Sequence, residues 1–304
     1  MKLTLVCVIC FFQFLSPFDV HAKLTMASYN IRNFDYDQRS RVPTNKNKLY
    51  QTLTQVNADL LAVQEINQTE VFKNFIDRKF FGRYGVALSE CGGAHDQRLG
   101  FVYDKAKFQL ISFREDLRIS NPQAPNQGFC QRGSRPLAIG VFKIKDSGKT
   151  FVAFSVHLKS GGQERSIQKR FKQLKLLKTV MDEHRSRGFD NFALMGDFNT
   201  TEYRDAGRVY RDFKNMLAKM NVKDASAAVK CTSYWWGGKP DGKEYPSKLD
   251  HILLSGSFLK SAKGSAQAKV YGHCAKLDCS AAPKEDLGAV YNQVSDHCPL
   301  SLSI

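Results

Sequence analysis

Apolar and polar positions along this chain recur with two different periods, and the switches between them predict a series of strands and helices. Over 24–31 they alternate with the two-residue period of a strand. Over 45–56, Leu49, Leu53 and Val56 fall on one face of a helix, with Thr44 as the expected N-cap. Leu60-Leu61-Ala62-Val63 is wholly apolar, as in a strand buried on both faces. A helix around 70–80 precedes strands at 84–88 and 99–103, and further strands are expected at 108–113, 137–144 and 151–157. Over 162–184, Ile167, Phe171, Leu174, Leu177 and Met181 form one helical stripe. Lys169, Arg170, Lys172, Lys175 and Lys178 lie between them, and a charged face of that kind is ordinarily a solvated one. Buried-type strands at 192–195 and 249–254 follow, and 298–302 is a last apolar run. Several strand pairs have no helix between them, which indicates a layered α/β protein with mixed sheets.

The first residues stand outside this pattern. Lys2, the apolar stretch 3–15 and the small-residue site Val20-His21-Ala22 predict a secretory signal peptide over 1–22, cut after Ala22. The stretch is too short to span a bilayer comfortably. Residues 23–304 show no linker, repeat or low-complexity block, so a single domain is expected, secreted or periplasmic. Of the eight cysteines, Cys7 and Cys10 lie in the leader, and the remaining six suit up to three disulfides in an oxidising compartment. Cys274 with Cys279 would close a small loop, and Cys91 with Cys130 would tie two loops together. The net charge of +16 suggests a polyanionic partner such as nucleic acid, an anionic membrane or an acidic polysaccharide. A generic basic surface would explain the charge equally well.

Chemistry concentrates at the ends of the expected strands. Asn30 closes the first, Gln64-Glu65 the second, and His157 ends the strand over 151–157. Asp197 and Asn199 follow 192–195, Asp250 opens the next strand, and Ser295-Asp296-His297 precedes the last. An Asp-His pair by itself reads more simply as a polar turn before an edge strand. Recurrence of such residues at so many strand ends favours a site, because strand ends are where α/β folds assemble one. Glu65, Asp296 and Asn30 offer hard oxygens suited to Mg²⁺, Mn²⁺ or Ca²⁺ rather than zinc. Two histidines can serve as acid and base, and no Ser or Cys nucleophile sits in a recognisable motif. A hard metal, a base and an acid without a covalent nucleophile describe metal-assisted attack of water on a phosphate ester.

The segments 27–34, Gln64-Glu65-Ile66, Ser134-Arg135-Pro136, Val156-His157-Leu158, Met195-Gly196-Asp197-Phe198-Asn199, Leu249-Asp250-His251-Ile252 and Ser295-Asp296-His297 resemble, in order and spacing, the endonuclease/exonuclease/phosphatase superfamily. The first looks especially like the deoxyribonuclease-I-like members. The resemblance implies a four-layer α/β sandwich, two packed mixed β-sheets flanked by helices. It also implies that Glu65 binds a divalent metal, most simply Mg²⁺, with Asn30 and Asp296. Asp197 and Asn199 would hold the scissile phosphate, the attacking water or a second metal, Asp250 would orient His297 as the base, and His157 would assist the leaving oxygen. Arg135 and Arg32 would contact substrate, a guanidinium fork being suited to phosphate. Two positions depart from the family pattern: Gln97 stands where a Glu supports the histidine equivalent to His157, with Asp96 beside it, and His251 stands where Arg is frequent.

Other superfamily members narrow the substrate. The Ser295–Pro299 segment is reminiscent of apurinic endonucleases, which work inside cells, while inositol phosphatases would want more basic residues than Thr200-Thr201-Glu202. A secreted sphingomyelinase is the alternative, since Tyr234-Trp235-Trp236 could enter a membrane interface. The same aromatics could stack on bases, or pack internally, which is the simplest reading. The basic charge favours a secreted, sequence-nonspecific nuclease acting on DNA, with RNA as a further substrate left open. The resemblance implies an endonuclease leaving 5′-phosphate ends, and a monomer without stable membrane association is expected. A catalytically dead binding protein is disfavoured by the intact set of site residues.

Overall fold

The computed structural model describes residues 23–38, 41–200, 206–261 and 266–304; the signal peptide expected over 1–22 and Thr201-Glu202 lie outside them. Two six-stranded sheets dominate. The first has the spatial order Gln267–Val270, Leu300–Ser303, Thr25–Phe34, Leu60–Ile66, Arg98–Asp104, Tyr84–Leu88. The second runs Val222–Asp224, Asp250–Ser255, Phe192–Asp197, Thr150–His157, Leu137–Ile144, Phe108–Asp116. Each holds one parallel pair, Thr25–Phe34 with Leu60–Ile66 and Phe192–Asp197 with Thr150–His157; every other pairing is antiparallel.

Strand parity builds the layers. Met26, Leu60, Ala62, Phe142, Phe151, Ala153, Met195 and Ile252 pack between the sheets. Their neighbours of opposite parity face the helices. Tyr29, Leu61 and Val63 meet Leu49, Leu53 and Phe72 of helices Lys46–Val56 and Thr69–Lys79. Val152, Phe154 and Leu194 meet Leu174, Leu177 and Phe213 of helices Glu164–Arg185 and Arg208–Lys219. The result is the four-layer sandwich that the family resemblance implies.

Local differences have physical causes. Asn45, not Thr44, caps the first helix, its side chain accepting from Lys48 N at 3.1 Å. The last strand starts at Leu300 and is no edge, because Thr25–Phe34 and Gln267–Val270 flank it. Cys91 bonds Cys130 as expected, but Cys274 does not bond Cys279. Cys274 lies in the short helix Gly272–Lys276 against Cys298, while Cys279 lies beyond its end against Cys231. Tyr234 is buried, yet the adjacent Trp235 and Trp236 are exposed, so internal packing holds only for the first of these aromatics. No helix among the described residues is long and apolar enough to cross a membrane.

Candidate active site

The two parallel pairs deliver the site. Parallel strands end at the same edge, so Asn30 finishes beside Gln64, and Asp197 beside His157. Antiparallel neighbours begin where these strands end. Asp250 therefore starts its strand opposite Asp197, and His297 lies just before the strand antiparallel to the first. Parity turns the side chains inward: Asn30 shares a face with Met26, His157 with Phe151 and Ala153, Asp197 with Ala193 and Met195, and Asp250 with Ile252. The layer between the sheets is apolar along most of its length and becomes polar at this edge. Where it changes, Gln64 Nε2 donates across to Ser155 Oγ (3.1 Å), and Ser155 Oγ donates to Val63 O (3.1 Å).

Regular alternation would turn Glu65 away. The pairing register shifts on both sides of it, and its φ is +63°, so the bulge re-aims its carboxylate. Glu65 Oε1 accepts from Asn30 Nδ2 at 3.0 Å, and Oε2 from Asn33 N at 3.1 Å. Arg32, Asn33 and Asn199 share the left-handed region, where a residue with a side chain is held only by its surroundings, at about 1–3 kcal/mol each. Gly196 meets a different need: a Cβ there would lie 2.1 Å from Val156 O, blocking the close pairing that sets Asp197 beside His157.

Two histidines flank Asp197 in opposite electrostatic states. His297 Nδ1 bonds Asp250 Oδ2 at 2.8 Å, and its Nε2 is 3.8 Å from Asp197 Oδ2. Burial alone would lower its pKa, but Asp250, Asp197 and Asp296 together raise it well above the usual imidazole value. Ser295 Oγ accepts from His297 N (3.0 Å) and donates to Asn30 O (2.7 Å), which ties this segment to the first strand. His157 Nε2 is 3.3 Å from Asp197 Oδ2 and 3.7 Å from Glu65 Oε1, and its Nδ1 has no partner. Burial, then the Arg135 and His297 charges, pull its pKa well below the usual value, so it is neutral. Gln97 donates to Asn33 Oδ1 at 2.7 Å and Asp96 pairs with Arg98 at 2.9 Å; neither supports His157.

The carboxyl groups are short of positive charge. Burial raises Asp197 to about 7 despite His297 nearby, and burial raises Glu65 despite its bond from Asn30. Asp296 is half-buried and acts on Glu65 through its charge. An all-oxygen set whose ionisation lacks compensation fits a hard divalent cation, which Glu65, Asp296 and Asn30 would hold. The cluster His273, Cys274 and Cys298 does not fit a metal, because the Cys274–Cys298 disulfide consumes both thiolates.

The remaining expected residues divide. Arg135 is buried, with Nη2 on Leu158 O (2.8 Å) and Nε unpartnered. Asn199 Nδ2 donates to the same carbonyl at 3.1 Å, and its N–H to Asp197 Oδ1 at 2.8 Å. Arg32 instead spends its two terminal nitrogens on Tyr291 O and Asn292 O (3.1 and 3.0 Å), bracing the segment that leads to His297. His251 is drawn to Asp224 at 2.8 Å and Thr200 at 2.9 Å, on the face away from Asp250. Ser155, Thr232 and Ser295 brace the site, roles that no sequence pattern marks. Thr232 Oγ1 accepts from Asp250 N at 2.9 Å, a tie without any sequence motif.

The match to known proteins agrees with this geometry. The model of the Endonuclease/Exonuclease/phosphatase family matches residues 27–297, and the chain belongs to that family. Its members are generally divalent-metal-dependent hydrolases of phosphate esters. Similar solved structures include an endonuclease/exonuclease/phosphatase family protein from Bacteroides thetaiotaomicron, 18% identical over 92% of this chain and 97% of that one, TM-score 0.61. A mannosyl-6-phosphatase of the same organism is 19% identical over 92% and 99%, TM-score 0.58. D. rerio TDP2 complexed with single strand DNA product is 14% identical over 93% and 98%, TM-score 0.59. No curated protein matches the sequence.

Proposed function

We propose that the chain is a secreted, monomeric, Mg²⁺-dependent phosphodiesterase that hydrolyses nucleic acid, chiefly as a sequence-nonspecific DNA endonuclease leaving 5′-phosphate ends. The observation that carries this is the His297–Asp250 pair at 2.8 Å, set at one sheet edge with Glu65, Asp197 and the buried Arg135. A dyad of this kind prepares a base rather than a nucleophile.

In this reading the scissile phosphate lies over Asp197 and Asn199, where Arg135 retains unspent N–H donors for a phosphate oxygen. A divalent cation at Glu65, Asn30 and Asp296 would supply positive charge to that phosphate. Asp250 fixes the proton on His297 Nδ1, so Nε2 is the atom that takes a proton from the attacking water. Asp250, Asp197 and Asp296 favour the proton on His297, and compensation of the Asp296 charge would weaken that hold on Nε2. As the bond from phosphorus to the leaving oxygen breaks, neutral His157 meets that oxygen as a hydrogen-bond donor, and the departing oxygen takes its proton from solvent water.

The polyanionic substrate is supported by the +16 charge, since a basic protein gains affinity by releasing counterions from a line of phosphates. The D. rerio structure with single strand DNA product supports it at the level of the shared fold. Export is supported by the leader sequence and three disulfides. The test is a panel of supercoiled plasmid, linear duplex, single strand, RNA, a sugar phosphate and sphingomyelin vesicles, each with Mg²⁺. Nicking of plasmid to ends that a ligase reseals is expected; turnover confined to the sugar phosphate or sphingomyelin would contradict the assignment.

A further inference from the structure

The chain has two tryptophans, consecutive at Trp235 and Trp236, and they are 48% and 56% exposed. Large aromatic surface left in water beside a catalytic edge points to a ligand. Their position is fixed by the site itself. Ser233 forms an isolated bridge with His297, and Tyr234 N donates to Asp296 O at 3.0 Å. The indoles therefore extend the backbone that pairs with the base and a metal-ligand candidate.

The support beneath them is built. Trp235 faces Tyr245 across the hairpin Ser233–Trp235 and Lys243–Ser247. After Trp236 the chain turns on Gly237 (φ +69°) and Gly238 (φ +72°), and Lys239 N closes the turn on Trp236 O at 3.3 Å. A Cβ on Gly237 would lie 2.5 Å from the Tyr245 ring, so only glycine lets the turn seat on it. The Lys239 ammonium lies 4.4 Å from the centre of that ring, and Tyr245 OH donates to Asp241. The two indoles are 6.4 Å apart at 81°, presenting differently oriented surfaces.

We propose that Trp235 and Trp236 form a stacking shelf for unpaired bases of a nucleic-acid strand whose scissile phosphate lies at His297. Single-stranded or locally melted nucleic acid is then the preferred substrate. The inference rests on the nuclease reading and deepens it. Stacking on an indole requires a base whose face is free, which duplex DNA does not offer along its length. Trp235 ends the strand Ser233–Trp235 and Trp236 opens the turn, while the rest of the connection, Gly237, Gly238, Lys239, Pro240, Asp241 and Gly242, carries no large apolar side chain. That suits a strand running across the site better than a bilayer entered tip-first.

Because these are the only tryptophans in the sequence, intrinsic indole fluorescence reports on the shelf alone. In EDTA, titration with a deoxythymidine oligomer should quench the emission, whereas an abasic oligomer of equal length should not. Trp235→Ala and Trp236→Ala should each weaken binding of the deoxythymidine oligomer on the order of 5- to 100-fold, and the Phe variants should retain most of the affinity. Equal quenching by the abasic oligomer would overturn the shelf, as would a blue shift with sphingomyelin vesicles and none with DNA. Plasmid nicking without quenching would sink the shelf and leave the nuclease; quenching without nicking on addition of Mg²⁺ would do the reverse.

Discussion

His157 and His297 stand on either side of one carboxylate, both buried, and the fold sends them to opposite protonation states. His297 has a carboxylate bonded to Nδ1, and two further acids act on it; His157 has a bare Nδ1 and the Arg135 charge. Burial disfavours the cation in both, so the partner decides. The lesson is that the residue type names only a capacity, and the neighbouring strand assigns the role. His297 is built to exchange a proton and His157 to stay neutral.

Removing the partner should break the contrast most strongly. Asp250→Asn should cost about 10²- to 10⁴-fold in kcat with little change in KM, and the His297 titration followed by NMR should fall toward the ordinary imidazole range. An unmoved titration would show that Asp250 does not set it.

A second break adds positive charge on the acidic side. The raised pKa of Asp197, about 7 against about 3.9 unfolded, means the folded carboxyl prefers its proton. Stability from this group is complete below the unfolded value and is lost as pH rises toward 7; Glu65 acts in the same direction. His157, lowered by burial, does the opposite, withdrawing stability as pH falls. Added Mg²⁺ competes with the carboxyl protons, so the rise in melting temperature that it causes should grow from pH 5 to pH 7.5. Glu65→Gln should abolish most of that rise. A rise that is equal at both pH values would contradict the assignment of the acidic cluster as the cation site.

The other side should be far less sensitive. Gln97→Glu installs the carboxylate that the family pattern has at this position, but Gln97 is bonded to Asn33, so kcat should change less than about threefold and the His157 titration should stay low. A clear upward shift would mean that this side chain reaches His157 and that the two histidines differ by one residue. Smallest in its effect on chemistry, Ser155→Ala should leave Gln64 Nε2 unpartnered between the sheets and lower stability by about 1–3 kcal/mol, read by denaturant unfolding.

Much of this arrangement was legible in the chain. Strands such as Tyr84–Leu88 and Leu137–Ile144 were visible because their apolar runs have the strand period. The site residues were visible because Asn30, Glu65, His157, Asp197 and Asp250 each interrupt such a run at its end. Helix Arg208–Lys219 was missed although its apolar residues Val209, Phe213, Met216 and Leu217 are spaced for one face. The short strands Ser233–Trp235 and Gln267–Val270 carry too few residues for any period to show. Periodicity is silent on the bulge at Glu65 and the pairing of Cys231 with Cys279, because both depend on which strands become neighbours. The protonation of the two histidines was hidden for the same reason. Each depends on residues at least 20 positions away in sequence, Asp250 for His297 and Arg135 for His157.

The role of His297 as the base is tested most directly by comparing the wild type with His297→Ala on supercoiled plasmid, in Mg²⁺ and in EDTA, with melting temperatures measured in parallel. Cation-dependent nicking by the wild type and a loss of at least about 10³-fold in the variant, with the fold retained, are expected. Nicking by His297→Ala at the wild-type rate, or by the wild type undiminished in EDTA, would contradict that expectation.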